Sequence, residues 1–257
     1  MEKDPYLSVI IPGFTEGERL GRTLLEIDHH LRLKDFRYEI LVIIDGSPNN
    51  TGEVAKNYMN RVKNLLVIEN DINQGKGYAV RLGLLQAKGA FRLYTDADGS
   101  TPIEHADEFL QVCQHGFDVV IASRDIEGAV IEIHQPRYRE LTGDMGNLLI
   151  RATLGLWGNP DTQCGFKMLS QHAAREIATR MVIDRFGFDF ELVVLAHKLG
   201  FKVKQMPVRW RHEDDSSVTF TGPNGFFRIL TDLLKTKYRL IKGDYNLPKQ
   251  PRPTRHI

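Results

Sequence analysis

Apolar runs and amphipathic stripes alternate along the first half of the chain. Leu7 to Ile11 is apolar apart from Ser8, as in a strand buried on both faces, and Pro12-Gly13 ends it. From Glu16 to Leu31 apolar residues return at Leu20, Leu24, Ile27 and Leu31, the spacing of an amphipathic helix. Glu39 to Ile44 reads as a second buried strand, halted at Asp45-Gly46-Ser47-Pro48. Thr51 is placed to cap a helix running to Asn60, and Leu65 to Glu69 is a third strand. The polar loop Asn70 to Gly77 opens a helix over Tyr78 to Lys88. Phe91 to Thr95 is a fourth strand, Glu104 to His115 a helix, and Asp118 to Ala122 a fifth strand. This alternation predicts an α/β chain with an open, mainly parallel sheet flanked by helices. Ligands in such sheets bind at the carboxyl ends of strands. Four of those ends carry polar residues: Pro12 to Glu16, Asp45 to Ser47, Asp96 to Ser100, and Ser123-Arg124-Asp125.

The second half is less regular. Glu140 to Leu156 reads as a helix with Leu141, Met145, Leu148, Leu149, Ala152 and Leu156 along one stripe. Asp161 to Lys167 reads as a turn entering a strand, Phe186 to Glu191 leads a helix ending near Lys198, and Val203 to Trp210 is a strand. Gly222-Pro223-Asn224-Gly225 breaks the chain before a last helix, Phe226 to Lys242. Phe226, Leu230, Leu233, Leu234, Tyr238 and Ile241 form its apolar face, opposite a basic face with Arg228, Lys235, Lys237, Arg239 and Lys242. The pattern suits a helix lying in a membrane interface, and equally a surface helix packed on its own domain. Prolines and charges from Asp244 on predict an unpacked tail. The expected division is a main domain over 1–221, an amphipathic helix over 222–243 and a flexible tail over 244–257.

The sharpest chemistry follows the fourth strand, in Asp96-Ala97-Asp98-Gly99-Ser100. Alternate residues of an extended segment share a side, so Asp96 and Asp98 converge just past the strand's end. Two adjacent carboxylates repel unless a cation sits between them. Hard oxygen donors with open positions suit Mg2+ or Mn2+ shared with substrate phosphates. The same residues are also ordinary turn chemistry. A net charge of +1 gives no bulk field for nucleic acid. The two cysteines, Cys113 and Cys164, fit a reducing compartment. The N-terminus lacks the apolar core of a signal peptide, and no uncharged run is long enough to span a bilayer. The chain thus reads as cytoplasmic, at most peripheral on the cytoplasmic membrane face.

Taken in order, these motifs resemble those of inverting glycosyltransferases of family 2. Within that family they are most similar to the polyprenyl-phosphate sugar transferases, the dolichyl-phosphate glucosyltransferase group first and the mannose synthases more distantly. The resemblance rests on Ser8 to Leu20, Ile43 to Ser47, Asn73 to Gly83, Asp96 to Ser100, Ser123-Arg124, Asp161 to Lys167, Phe188 to Glu191 and Val208 to Trp210. Asp-Thr-Gln-Cys-Gly-Phe-Lys at 161–167 is its most specific part. It implies a GT-A-type, Rossmann-like fold and a nucleotide-diphosphate sugar donor, UDP-glucose first and GDP-mannose second. It further implies a polyprenyl phosphate acceptor. Asp96, Asp98 and Ser100 would hold or approach the metal. Pro12, Phe14, Glu16, Val42, Asp45 and Ala97 would line the donor site. Lys76 would meet the donor's phosphates or base edge, unless it is a solvated lysine. Arg124, whose guanidinium matches phosphate bidentately, leads the acceptor candidates, ahead of Arg209 and Arg211 and then Arg137 and Arg139. Asp189 would either orient the acceptor or hold an arginine such as Arg124.

The chain also departs from the family pattern. Thr15 replaces an asparagine and Ile44 replaces an aspartate expected at the base edge. Ser217 replaces a lysine suited to phosphate, beside acidic Glu213, Asp214 and Asp215. Two other readings therefore stay open: a soluble acceptor, and a degenerate nucleotide-binding homologue.

Overall fold

The computed structural model describes residues 4–133, 137–212 and 223–247; in the helices that begin at 137 and 223, the side chains described start at 143 and 227. The first elements are β1 (Leu7–Gly13), α1 (Glu18–Arg32), β2 (Tyr38–Asp45), α2 (Thr51–Asn57), β3 (Leu65–Asn70) and α3 (Lys76–Gln86). Then come β4 (Phe91–Thr95), α4 (His105–Gln114), β5 (Val119–Ser123), β6 (Val130–Ile133) and α5 (Arg137–Leu154). The remainder is β7 (Phe166–Ser170), α6 (Gln171–Ala178), α7 (Phe188–Lys198), β8 (Val203–Pro207), β9 (Arg209–Arg211) and α8 (Pro223–Lys242).

Seven strands form one sheet in the order β3-β2-β1-β4-β7-β5-β8. All run the same way except β7, which is antiparallel to both β4 and β5. The expected open, mainly parallel sheet is therefore present, with one reversed strand in its interior. Every residue of β1 and β2 is buried, because helices cover both faces. Alternation along the strands divides the core into two layers. Ile10, Leu41 and Ile43 meet Val80 and Leu84 of α3, Ile177 of α6 and Leu192 of α7. Val9, Ile11, Ile40 and Val42 meet Leu20, Leu24 and Ile27 of α1 and Phe109 of α4. Full burial of each such side chain contributes about 1.5–3 kcal/mol.

Three expectations change. The strand expected over Val203 to Trp210 breaks at Val208: β8 joins the main sheet, and β9 pairs in parallel with β6 as a small ribbon. That switch carries the Arg211 backbone to the loop after β4, where its N–H donates to Ser100 O at 3.0 Å. Helix α6 was not expected, although Ser170 caps it by accepting from Ala173 N at 3.2 Å. The tail reading fails for 244–247. Tyr245 is 2% exposed and donates to Glu191 Oε1 at 2.6 Å, and Leu247 packs on the core. Residues 248–257 lie outside those described.

Candidate active site

From β1 the chain winds outward through β2 to β3, then places β4 on the other side of β1. The direction of winding reverses between β1 and β4, and a crevice outside strand carboxyl ends at such a reversal is where open α/β sheets bind ligands. Pro12-Gly13 ends one of these strands and Asp96 to Ser100 follows the other.

Asp96 is fixed from two sides. Its backbone N–H donates to Gly165 O at 3.0 Å, and its Oδ1 lies 2.6 Å from Lys76 Nζ. A Cβ at position 165 would stand 2.1 Å from Asp96 Oδ2, so only glycine lets the carboxylate lie there. Gly165→Ala is accordingly expected to push that carboxylate off Lys76. Activity should fall about 100-fold, the scale on which misplacement by an ångström acts, with much less change in an unfolding titration. Asp98 Oδ1 accepts from Ser100 N at 2.9 Å, and the Ser100 side chain also bonds this carboxylate.

Lys76 is the first residue of α3. Gly75, just before it, has φ of 124°, and a Cβ there would lie 2.3 Å from Asp184 O. Asp45 shapes the same turn by accepting from Gly75 N at 2.6 Å and Gln74 N at 3.1 Å. Burial opposes the charge on Lys76, but Asp96, Asp189 and Asp98 outweigh it and hold its pKa above that of an ordinary lysine. Asp96 contacts this ammonium directly, and Asp189 and Asp98 act on it through their charge. Burial first, and then the like charge of Asp96, push the Asp98 carboxyl above the usual range. Such a pair accommodates a divalent cation. Among the described residues no group of three His, Cys, Asp or Glu side chains forms a complete metal cage. Two carboxylates with positions left for substrate phosphates is the arrangement in which Mg2+ is usually bound, and the pair fits such an ion.

A second charged cluster lies beneath the first. Lys167 is 0% exposed and donates from Nζ to Tyr94 OH at 2.7 Å, to Cys164 O at 2.7 Å and to Asp189. Tyr94 also donates to Asp189. Burial raises the Asp189 pKa against the pull of Lys167 and Lys76. The partner of Asp189 is therefore a buried lysine, not Arg124. Arg124 instead presents its fork to fully buried Asp161, with Nε–Oδ2 at 2.7 Å and Nη2–Oδ1 at 3.1 Å, and its guanidinium lies 5.2 Å from the Trp210 ring centre. That edge of the fork, expected on a phosphate, is spent on the protein. Burial acts against ionisation of Asp161, but Arg124 outweighs it and leaves the carboxyl below its usual range.

The donor-site candidates separate. Phe14 and Glu16 are partly open at the end of β1, with Phe14 N donating to Glu16 Oε2 at 2.5 Å. Pro12 is buried beside them. Val42 is 0% exposed in the core, and Ala97 is 4% exposed. Neither side chain offers a surface to a donor, and Asp45 is occupied by the backbone amides of the 74–75 turn. Ile44, in the aspartate position, is 3% exposed and packs where a Gly13 Cβ would stand, at 2.9 Å. Arg211 Nη2 lies 3.9 Å from where a Gly99 Cβ would stand, beside Asp98. Arg209 is exposed and donates its N–H to His105 Nε2 at 3.0 Å. The side chains of Arg137 and Arg139, and all of 213–217, lie outside the described residues. Sequence reasoning missed the roles of Lys167, Tyr94 and Asp161. The run Asp161 to Lys167 was the available signal, since it supplies one partner of each of these ion pairs and Gly165.

Comparison with known proteins agrees with this architecture. A dolichyl-phosphate beta-glucosyltransferase of Trichomonas vaginalis is 32% identical over 247 residues, covering 91% of this chain and 74% of that protein. Its counterpart in Drosophila melanogaster is 34% identical over 227 residues, covering 83% and 69%. Among solved structures, glucosyl-3-phosphoglycerate synthase from Mycobacterium tuberculosis, crystallised with Mn2+, UDP and glucosyl-3-phosphoglycerate, superposes with a TM-score of 0.66. At 16% identity over 96% of this chain and 82% of that one, it shows the shared fold. The Glycosyl transferase family 2 model matches residues 8–178, and the chain belongs to that family.

Proposed function

We propose that this family 2 enzyme transfers a hexose, glucose before mannose, from a nucleotide-diphosphate sugar to a polyprenyl phosphate, with inversion at the anomeric carbon. The observation that carries this reading is the Asp96–Lys76–Asp98 centre at the β1/β4 reversal. Its occurrence in a chain similar to dolichyl-phosphate beta-glucosyltransferases supports the choice of acceptor class.

An oxygen of the acceptor phosphate attacks the anomeric carbon. The bond from that carbon to the donor diphosphate breaks in the same displacement, and the nucleoside diphosphate leaves as an anion. A phosphate monoester is already ionised near neutral pH, so the acceptor needs cationic surroundings more than a general base. Asp98 and Asp96 would hold Mg2+ or Mn2+, which supplies Lewis-acid neutralisation of the diphosphate. Lys76 adds a fixed positive charge to the same place, and Asp96 first and then Asp189 favour its ionised form. On the acceptor side, Arg211 brings Nη2 to 3.9 Å from where a Gly99 Cβ would stand, one residue after Asp98. Arg124 keeps N–H groups beyond the two bound to Asp161. The β2 end, with Ile44 buried and Asp45 occupied, has no carboxylate for a base edge; Phe14 and Glu16 remain to define the nucleoside pocket.

A panel of UDP- and GDP-sugars with Mg2+ or Mn2+ and a short polyprenyl phosphate tests the reading. Turnover is expected with UDP-glucose, to stop with EDTA, and to give an anomeric configuration opposite to that of the donor. Retention of configuration, or full activity in EDTA, contradicts it.

A further inference from the structure

Helix α8 carries two apolar stripes. Ile229, Leu233, Thr236 and Leu240 face the core; Leu233 is 1% exposed and Thr236 0%. Leu234, Tyr238 and Ile241 face outward, at 56%, 61% and 77% exposure. At 3.6 residues per turn the second stripe stands about 140° around the helix from the first. A surface helix docked on its domain has no need of it. Helix α5 repeats the pattern: Ile150 and Leu154 point inward, while Met145 and Leu148 are 72% and 54% exposed. Lys237 Nζ joins the two helices by donating to Thr153 O at 2.8 Å.

The flank of α8 beside its outward stripe is basic, with Arg228, Lys235, Arg239 and Lys242. Asp232 lies on this same flank beside Lys235, and its carboxylate accepts from the Gly187 backbone. We infer that the outward faces of α8 and α5 form a docking surface for a bilayer carrying anionic headgroups. An apolar stripe with a cationic rim matches the acyl boundary and headgroups of such a surface. A second copy of the chain would bring the same basic rim against this one, and like charges oppose that pairing. No helix among the described residues is long and apolar enough to cross a membrane, so attachment here is lateral.

The helix is not a loose anchor. Tyr245 binds Glu191 just beyond its C-terminal end, and Asp232 binds Gly187, two residues before Asp189. The docking face is thereby joined to the segment that reaches Lys76, so a docked bilayer meets the protein beside the catalytic centre. As a statement of where the acceptor is met, the inference rests on the lipid-phosphate reading; as a statement of binding, it stands on α8 and α5 alone.

Co-sedimentation of the full chain with phosphatidylcholine vesicles, with and without phosphatidylserine and free of polyprenyl phosphate, tests it. Binding is expected to the anionic vesicles and to weaken with salt. The double variant Leu234→Glu/Ile241→Glu should lower it about tenfold or more. Its circular dichroism spectrum, and its rate on a water-soluble short-chain polyprenyl phosphate, should stay unchanged. Lys235→Glu/Lys242→Glu, also at exposed positions, should abolish the preference for anionic vesicles. Vesicle binding by a wild-type chain that transfers nothing would leave the docking surface standing and remove the transferase reading. Absence of vesicle binding, binding indifferent to both double variants, or a dimer that Leu234→Glu/Ile241→Glu dissociates would overturn the inference, the last in favour of a second copy.

Discussion

Asp98→Asn is expected to lower transfer about a thousandfold, the effect of losing several kcal/mol of charge stabilisation at the departing diphosphate. The substitution keeps an oxygen to accept from Ser100 N, so the loop after β4 retains its shape. What it removes is one of the two negative charges that meet beside Lys76. Asp96 alone cannot replace it, because one of its two carboxylate oxygens already meets Lys76 at 2.6 Å. Burial and Asp96 raise the Asp98 pKa, so ionised Asp98 works against folding above its folded-state pKa. That cost is absent well below the unfolded-state pKa and complete above the folded one. The metal-free variant should therefore be at least as stable as the parent near neutral pH, while its affinity for Mn2+ in the presence of UDP falls. Calorimetric titration with Mn2+ and urea unfolding separate the two effects. A variant that loses activity because it unfolds would argue for a structural aspartate.

Lys167→Met should cost about 3–5 kcal/mol in urea unfolding, the scale for removing one partner of a buried ion pair. The lysine is fully buried and makes three hydrogen bonds, and its loss leaves the buried Asp189 carboxyl with Tyr94 as its remaining hydrogen-bond partner. Adding Asp189→Leu to the same chain should recover much of the loss, because no unpaired charge then remains. A single variant costing under about 1 kcal/mol would mean that Asp189 is neutral in the folded protein, and the electrostatic support of Lys76 by Asp189 would fail with it.

Strand runs and helix stripes were legible because burial on two faces or one leaves a period in the sequence. Five strands and the helices between them could be placed from that period alone. The reversed direction of β7 could not, since a short apolar strand reads the same either way. Asp96 and Asp98 were legible as two carboxylates closing a strand, although residues 97–98 form a turn and not the extended chain that the spacing argument assumes. Lys167 was not, because a lysine inside a strand carries no mark of burial, and its partners Tyr94 and Asp189 stand 73 and 22 residues away. Asp45 suggested donor contact by its place after β2, yet its acceptors are filled by amides nearly 30 residues on, a pairing that only the folded loop defines. In α8 the apolar positions were visible, but not their division into a buried and an exposed stripe. Beyond α8, prolines and charges outweighed Tyr245 and Leu247, which tertiary contacts hold in place.

In the function proposed here, the centre around Asp96, Asp98 and Lys76 passes a sugar to a lipid-borne phosphate. The most direct measurement is the rate of UDP release from UDP-glucose with Mn2+, with and without a short polyprenyl phosphate, alongside recovery of the glycosylated lipid. UDP release is expected to depend on the lipid phosphate and to match the lipid product mole for mole. Slow release indifferent to the lipid, with no glycosylated lipid recovered, would contradict it.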